Sequence, residues 1–494
     1  MANRIHLIPL FVLLGLSGCG RETPCPRCDT IVVAATGEPR SLLPPVVVET
    51  VGRDISDQIY ERLAELAPGA ASIDTSAYRP RLASSWERVD SVTLRFHLRL
   101  GARWQDGEPV TAADVVFSFE AFSDSAIDAQ ARPTLAGSVT ALAEDSNTVL
   151  IKFRRAYAEQ LYDATWHVRI IPAHIWKWIA RDMWAADTAV TRVVGSGPYR
   201  LTGWDRGQSV TLERDTAGGR RAKTGRAIWR FAADPEAALN LVLADEADLL
   251  ESVGSPERIA RVEADSGLGV VRYPAATYGF LGYQLAPRGP GRSAALADRG
   301  VRRALNMAVD RAAVATLVYG AGTKAPPGPM SQLLWIWDDS VTVLPFDTSV
   351  AALAFDQVGW RRGRDGMRHK AGQPLGFDIL VPSSSLGRKR LAEALQEQWR
   401  QAGVEVTITA VDFPVFMQRL GQGGFDSYIG SWLDEPSPRG LAEQWTTGGI
   451  GAINYGHYSN TTFDRRFGEA VEARDVSTAR RLWREAMDTL NADA

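Results

Sequence analysis

Polar and apolar residues alternate from Thr93 to Leu100, with Leu94, Phe96, Leu98 and Leu100 on one side, the period-two pattern of a half-buried strand. Asp106-Gly107 then supplies a turn beside Trp104. Thr111 and Asp114 stand at capping-box spacing, so a helix is predicted from Ala112, with Val115, Phe119 and Phe122 on its apolar face. Ile55, Ile59, Leu63 and Leu66 recur at helical spacing, Thr148 to Phe153 reads as a strand, and Asp205-Arg206-Gly207 as a hairpin turn leading into Val210 and Leu212.

Nearer the C-terminus, Phe377 to Val381 is an apolar strand. Leu391, Leu395, Trp399 and Ala402 line one helical face that Gly403 ends, and Val404, Val406 and Ile408 alternate again. Strand, helix and strand of these lengths predict a right-handed βαβ crossover, hence a parallel sheet covered by helices and an α/β fold class. Ligands of such sheets sit beyond the carboxyl ends of the strands. Phe425 to Trp432 supplies one such strand, and Trp432-Leu433-Asp434-Glu435 leaves its end.

The chain has 494 residues, well beyond the size at which one hydrophobic core stops growing, so two or more lobes are expected. Hydrophobic residues make up 45% and charged residues 23%, which argues against both disorder and a multi-span membrane protein. The net charge is −3 and the arginines are scattered among carboxylates, so the electrostatic footprint of a nucleic-acid binder is missing.

Residues 1–19 carry Arg4, an apolar run from Leu7 to Leu16, and Ser17-Gly18-Cys19, the layout of a secretory signal too short to span as a permanent helix. Leu16-Ser17-Gly18-Cys19 resembles the bacterial lipoprotein cleavage box, which implies a lipid on Cys19 and an exported body tethered to a membrane, periplasmic or at the cell surface. Cys25 and Cys28 fall in a Pro-rich polar stretch, read with the rest of residues 20–29 as a flexible tether; export permits a disulfide between them.

Four stretches carry a family resemblance. Arg81-Leu82-Ala83-Ser84-Ser85-Trp86-Glu87 with the strand and Trp104-Gln105-Asp106-Gly107 after it, Gly195-Ser196-Gly197-Pro198-Tyr199, Val301 to Arg311, and Trp432 to Pro438 occur in this order. Together they resemble the family 5 extracellular solute-binding proteins, the oligopeptide and dipeptide receptors of ABC importers. The resemblance runs over nearly the whole mature chain and implies a two-lobed periplasmic-binding-protein-like fold of class II, with an extra subdomain in the first lobe. It places the first lobe at 30–280, the inserted subdomain at about 61–194 and the second lobe at 281–494. It also implies strands returning to the first lobe after the amphipathic helix marked by Ala479, Leu482, Trp483, Ala486 and Leu490. The sequence stops four residues after Leu490, so a lobe crossing is expected to be missing and apolar surface to be left uncovered.

Exported lipoproteins include hydrolases, so an enzyme reading stands or falls on catalytic motifs of its own. There is no Gly-x-Ser-x-Gly elbow, Ser-x-x-Lys or His-Glu-x-x-His, and the six histidines lack metal-ligand spacing. The glycines at 195 and 197 are no phosphate loop, since no lysine follows them. The expectation is a monomeric binding protein that is no enzyme, with neither metal nor cofactor. It would capture an oligopeptide or similar small solute and deliver it to an ABC permease and its ATPase; alternatives are an oligosaccharide, a metal chelate or an exported hydrolase. By resemblance the ligand-binding residues are Glu38 and Pro39 in the first lobe and Trp432, Asp434 and Glu435 in the second. Asp434 is first choice to pair with a peptide's terminal ammonium and Glu435 second, because the match needs a gap of one residue after Leu433.

Overall fold

A computed structural model of the chain describes residues 29–216, 222–286 and 293–494. Cys19, Cys25, Cys28, the signal segment and all of the tether but Asp29 lie outside the described residues.

The first lobe is built on a five-stranded mixed sheet. In chain order its strands are β1 (Thr30–Thr36), then, after helix α1 (Thr50–Ile59) and the subdomain, β2 (Tyr199–Asp205), β3 (Ser209–Arg214), β4 (Arg226–Ala232) and β5 (Leu249–Leu250), lying in the order β5-β1-β4-β3-β2. β1 runs parallel to β4 and β5, whereas β4, β3 and β2 form an antiparallel meander closed by the predicted hairpin at residues 205–209. Asp234 caps the helix after β4, accepting from the amides of Glu236 and Ala237, with Pro235 at the first helical position.

The inserted subdomain contains an antiparallel sheet of Ala83–Asp90, Thr93–Leu98, Thr148–Phe153 and Val139–Ala143. The predicted capping box at Thr111 and Asp114 is present and starts the helix Ala112–Ser123. Val115, Phe119 and Phe122 are buried with Phe96, Trp104 and Trp184 in one core shared by subdomain and lobe. Each such side chain contributes about 2–3 kcal/mol by leaving water.

Two local expectations differ. The strand stops at Leu98, and Leu100 is 81% exposed, because Gly101 turns the chain with φ of 73° before the pleat reaches it. The helix containing Ile55 ends at Ile59, and Leu63 and Leu66 belong instead to an extended stretch in which Ala64–Leu66 pairs with Tyr78–Pro80. The amide of Gly197 donates to the Ile59 carbonyl at 2.8 Å, taking the acceptor from outside the helix. A Cβ on Gly195 would stand 1.9 Å from that carbonyl oxygen, so the Gly-Ser-Gly motif serves backbone-on-backbone packing.

The second lobe has a four-stranded sheet of β6 (Thr277–Tyr283), β7 (Gly376–Pro382), β8 (Glu405–Val411) and β9 (Ser427–Leu433), in the order β6-β9-β7-β8. Its first strand starts at Thr277, so the boundary expected near 280 falls inside β6. The predicted crossover is present: β7, the helix Leu386–Gln401 and β8 form a parallel unit, with Trp399 buried beneath the helix. β9 is parallel to β7 and antiparallel to β6. The C-terminal helices Thr461–Glu472 and Val476–Asp493 pack on each other through Phe463, Phe467 and Trp483, and their core includes Ala71 of the subdomain.

Candidate interlobe ligand site

β9 and β6 meet where the chain passes between lobes. Trp432 lies opposite Tyr278 and Leu433 opposite Thr277, so the carboxyl end of β9 adjoins the entry to the second lobe. The next residue, Asp434, is clamped through its own amide, which donates to the Ala276 carbonyl at 2.7 Å. One carboxylate oxygen, Oδ2, accepts from the Ser331 amide at 2.5 Å. Burial pushes the Asp434 carboxyl above its ordinary range, and the Ser331 bond only partly offsets this. Among the described residues, no lysine, arginine or histidine forms an ion pair with Asp434 or Glu435. A half-buried carboxylate without a cation is costly unless a ligand brings one.

A polar cavity of about 600 Å³ opens beside these acids, lined by Asp434, Glu435, Arg439 and Gln444 on one side and by Tyr162 and His167 of the subdomain on the other. The Tyr162 hydroxyl is buried and has no hydrogen-bond partner among the described residues. A larger, more apolar groove of about 1500 Å³ shares Gln444 with it. That groove takes in Glu251 and Tyr273 of the first lobe and Gly279, Ser331 and Trp445 of the second. Ser331 therefore faces the groove while the carboxylate it holds faces the smaller cavity.

The other residues expected at the ligand are placed differently. Glu38 follows the carboxyl end of β1, but its carboxylate is taken up by the β2–β3 hairpin, accepting from Trp204 Nε1 at 2.7 Å, the Gly207 amide at 3.0 Å and Arg206 Nη1 at 3.3 Å. Pro39 packs close to Gly52. Neither residue lines either cavity, and Trp432 lies beside them without lining either. Of the five, the structure brings Asp434 and Glu435 together at one cavity.

Sequence reasoning missed a buried charge network next to them. Glu159 and Asp163, both almost fully buried, flank the Arg439 guanidinium, whose Nε meets Glu159 and whose Nη2 meets Asp163 at 2.5 Å. Ser72 and Ser437 donate hydroxyl bonds to Glu159, and Tyr157 donates to Asp163 at 2.6 Å. Burial works against both carboxylates. For Asp163 the contacts with His167 and Arg439 outweigh it and hold the pKa down, whereas for Glu159 burial wins and pushes it up. Burial also works against the Arg439 charge, but the two acids overcome it and raise its pKa. Ser437 is thus hydrogen-bonded to an acid supplied from the subdomain.

Residues 77–452 match the bacterial extracellular solute-binding proteins, family 5 Middle. Protein XP55 of Streptomyces lividans is 28% identical over 472 residues, covering 94% of this chain and 82% of its own. The dipeptide-binding protein of Escherichia coli is 24% identical, covering 83% of this chain and 77% of its own. The ABC transporter substrate-binding protein CtaP from Listeria monocytogenes shares the fold with a TM-score of 0.78 at 20% identity, over 94% of this chain and 90% of that one. The oligopeptide-binding protein AppA from Bacillus subtilis, solved with a nonapeptide, superposes with a TM-score of 0.71 at 20% identity, over 94% and 91%.

Proposed function

Because the chain belongs to the bacterial extracellular solute-binding proteins of family 5, we propose that it captures an oligopeptide or similar small solute between its lobes and delivers it to an ABC permease. Asp434 is the anchor in this reading. Its carboxylate is half-buried, held on one oxygen by the Ser331 amide and, among the described residues, without a cation, which suits it to a terminal ammonium. Glu435, on the same cavity, adds negative potential rather than a second fixed contact. Trp432 supports the anchor through the β6–β9 pairing, and Glu38 and Pro39 shape the first-lobe loop.

Closure of the lobes over the solute removes water from the Asp434–ammonium pair and strengthens it. The protein carries out no reaction on the solute. Cys19 is proposed as the lipid attachment point that keeps the exported monomer at the membrane near its permease. If Cys19→Ala still incorporates labelled fatty acid and stays in the membrane fraction, the anchor is elsewhere.

Native mass spectrometry of the purified protein tests the solute class. Retained masses that fragment as peptides with free amines support the reading, whereas a retained sugar or metal chelate replaces it with a non-peptide solute. For a preparation that retains nothing, a defined tripeptide and tetrapeptide mixture is the probe, and failure to bind any member contradicts the peptide reading.

A further inference from the structure

The Glu159–Arg439–Asp163 network joins parts of the chain that belong to different lobes. Glu159 and Asp163 stand on the subdomain around the helix Gln160–Thr165, and Ser72 comes from an earlier subdomain loop. Arg439 and Ser437 stand on the segment that continues from β9 of the second lobe, a few residues beyond Asp434. Lobes that separate to admit a solute, as the proposed function requires, pull Arg439 away from both acids. We propose that Arg439 is a positioning residue, a clasp whose pairing with Glu159 and Asp163 favours the closed arrangement and sets the Asp434 loop against the subdomain.

Three features support an interlobe clasp over an ordinary surface ion pair. Glu159 and Asp163 are 3% and 1% exposed, so each has given up nearly all its water. The remaining acceptor positions are filled from both sides: Ser72 and Tyr157 of the subdomain and Ser437 of the second lobe all donate to the two acids. The guanidinium also lies 5.4 Å from the Tyr157 ring centre. The second lobe thus supplies one cation and one hydroxyl to two acids that the subdomain alone leaves short of a counter-charge, His167 being the subdomain's own contact at 3.3 Å from Asp163. Removing one partner of such a network costs far more than removing all of it, because it strands buried charge.

This inference rests on the two-lobed capture reading but not on the identity of the solute, so its test uses none. Hydrogen–deuterium exchange of the full chain compares wild type, Arg439→Met, and the triple variant Glu159→Gln/Asp163→Asn/Arg439→Met, which removes the charges from both sides. In Arg439→Met, exchange is expected to rise about tenfold or more in residues 157–165 and 434–441 together, since a buried network loses one partner. The triple variant is expected to return both segments to within about threefold of wild type. Should Arg439→Met fail to fold, Arg439→Lys, which keeps the charge but not the fork, is expected to give the same two-sided pattern at about threefold. A rise confined to 434–441, no rise in either segment, or a triple variant as fast as the single one overturns the clasp. Loss of peptide binding with these exchange patterns intact would instead count against the solute reading alone.

Discussion

Glu38 and Asp434 each stand just past the carboxyl end of a parallel strand, one in each lobe, yet their carboxylates are in opposite circumstances. Glu38 is saturated by an indole, a backbone amide and a guanidinium of its own lobe. Asp434 has one backbone donor, partial burial and, among the described residues, no cation. Position relative to the sheet therefore does not by itself make an acid a ligand anchor. What separates the two is whether the fold has already supplied the charge and donors that the carboxylate needs.

The contrast gives opposite signs for similar substitutions. Glu38→Ala leaves the part-buried Trp204 indole without its acceptor and the exposed Gly207 amide to water, and is expected to lower unfolding stability by about 1–2 kcal/mol, with affinity for the solute nearly unchanged; chemical denaturation and titration of one preparation measure both. A large loss of affinity without loss of stability would move Glu38 back to the ligand. The seat of that loop is checked by Gly52→Ala, whose Cβ would stand 2.9 Å from that of Pro39. About 1–2 kcal/mol of destabilisation is expected, and a neutral result would mean that the loop yields freely.

Asp434→Asn should behave the other way. Burial raises the folded-state pKa of Asp434 above the ordinary 3.8, so the folded chain holds this proton more tightly than the unfolded one, and stability falls as pH rises through the window above 3.8. Asparagine can still accept from Ser331 and carries no buried charge, so melting of the ligand-free variant at pH 7 is expected about 1–2 °C higher than wild type. A lower melting point would show a structural carboxylate like that of Glu38.

The smallest effect is at Asp54 on α1, whose carboxyl is pushed up to about 6, first by burial and then by the nearby charges of Glu251 and Asp57. Folding takes up its proton between pH 3.8 and about 6, so its contribution to stability declines as pH rises through that window. Asp54 is partly exposed and solvent screens the effect, so Asp54→Asn should raise the melting temperature at pH 7 by only about 1 °C and flatten the slope between pH 4 and 6. A carboxyl resonance titrating near 4 would contradict this.

Much of this frame is legible in the chain because it is local. The period-two strand before Asp106-Gly107, the Thr111–Asp114 capping box and the crossover through Trp399 each rest on residues within one or two elements. Asp434 is legible because it leaves a strand end in a stretch shared with a known family. The exhaustion of Glu38 is not, since its partners Trp204, Arg206 and Gly207 come from a hairpin far along the chain. Nor is the clasp, which brings Ser437 to Glu159 across 278 positions. The end of α1 at Ile59 was hidden for the same reason: its carbonyl is taken by Gly197.

The central claim is that Asp434 holds the solute's ammonium, and a calorimetric double-mutant cycle tests it most directly. Affinities are measured for wild type and Asp434→Asn, each with a bound peptide and with its N-acetylated form. Either change alone is expected to cost roughly 3–5 kcal/mol, some hundreds-fold or more in affinity, because it strands one buried charge, and the second change should then add little. Full additivity of the two losses would contradict the account, placing the ammonium somewhere other than Asp434.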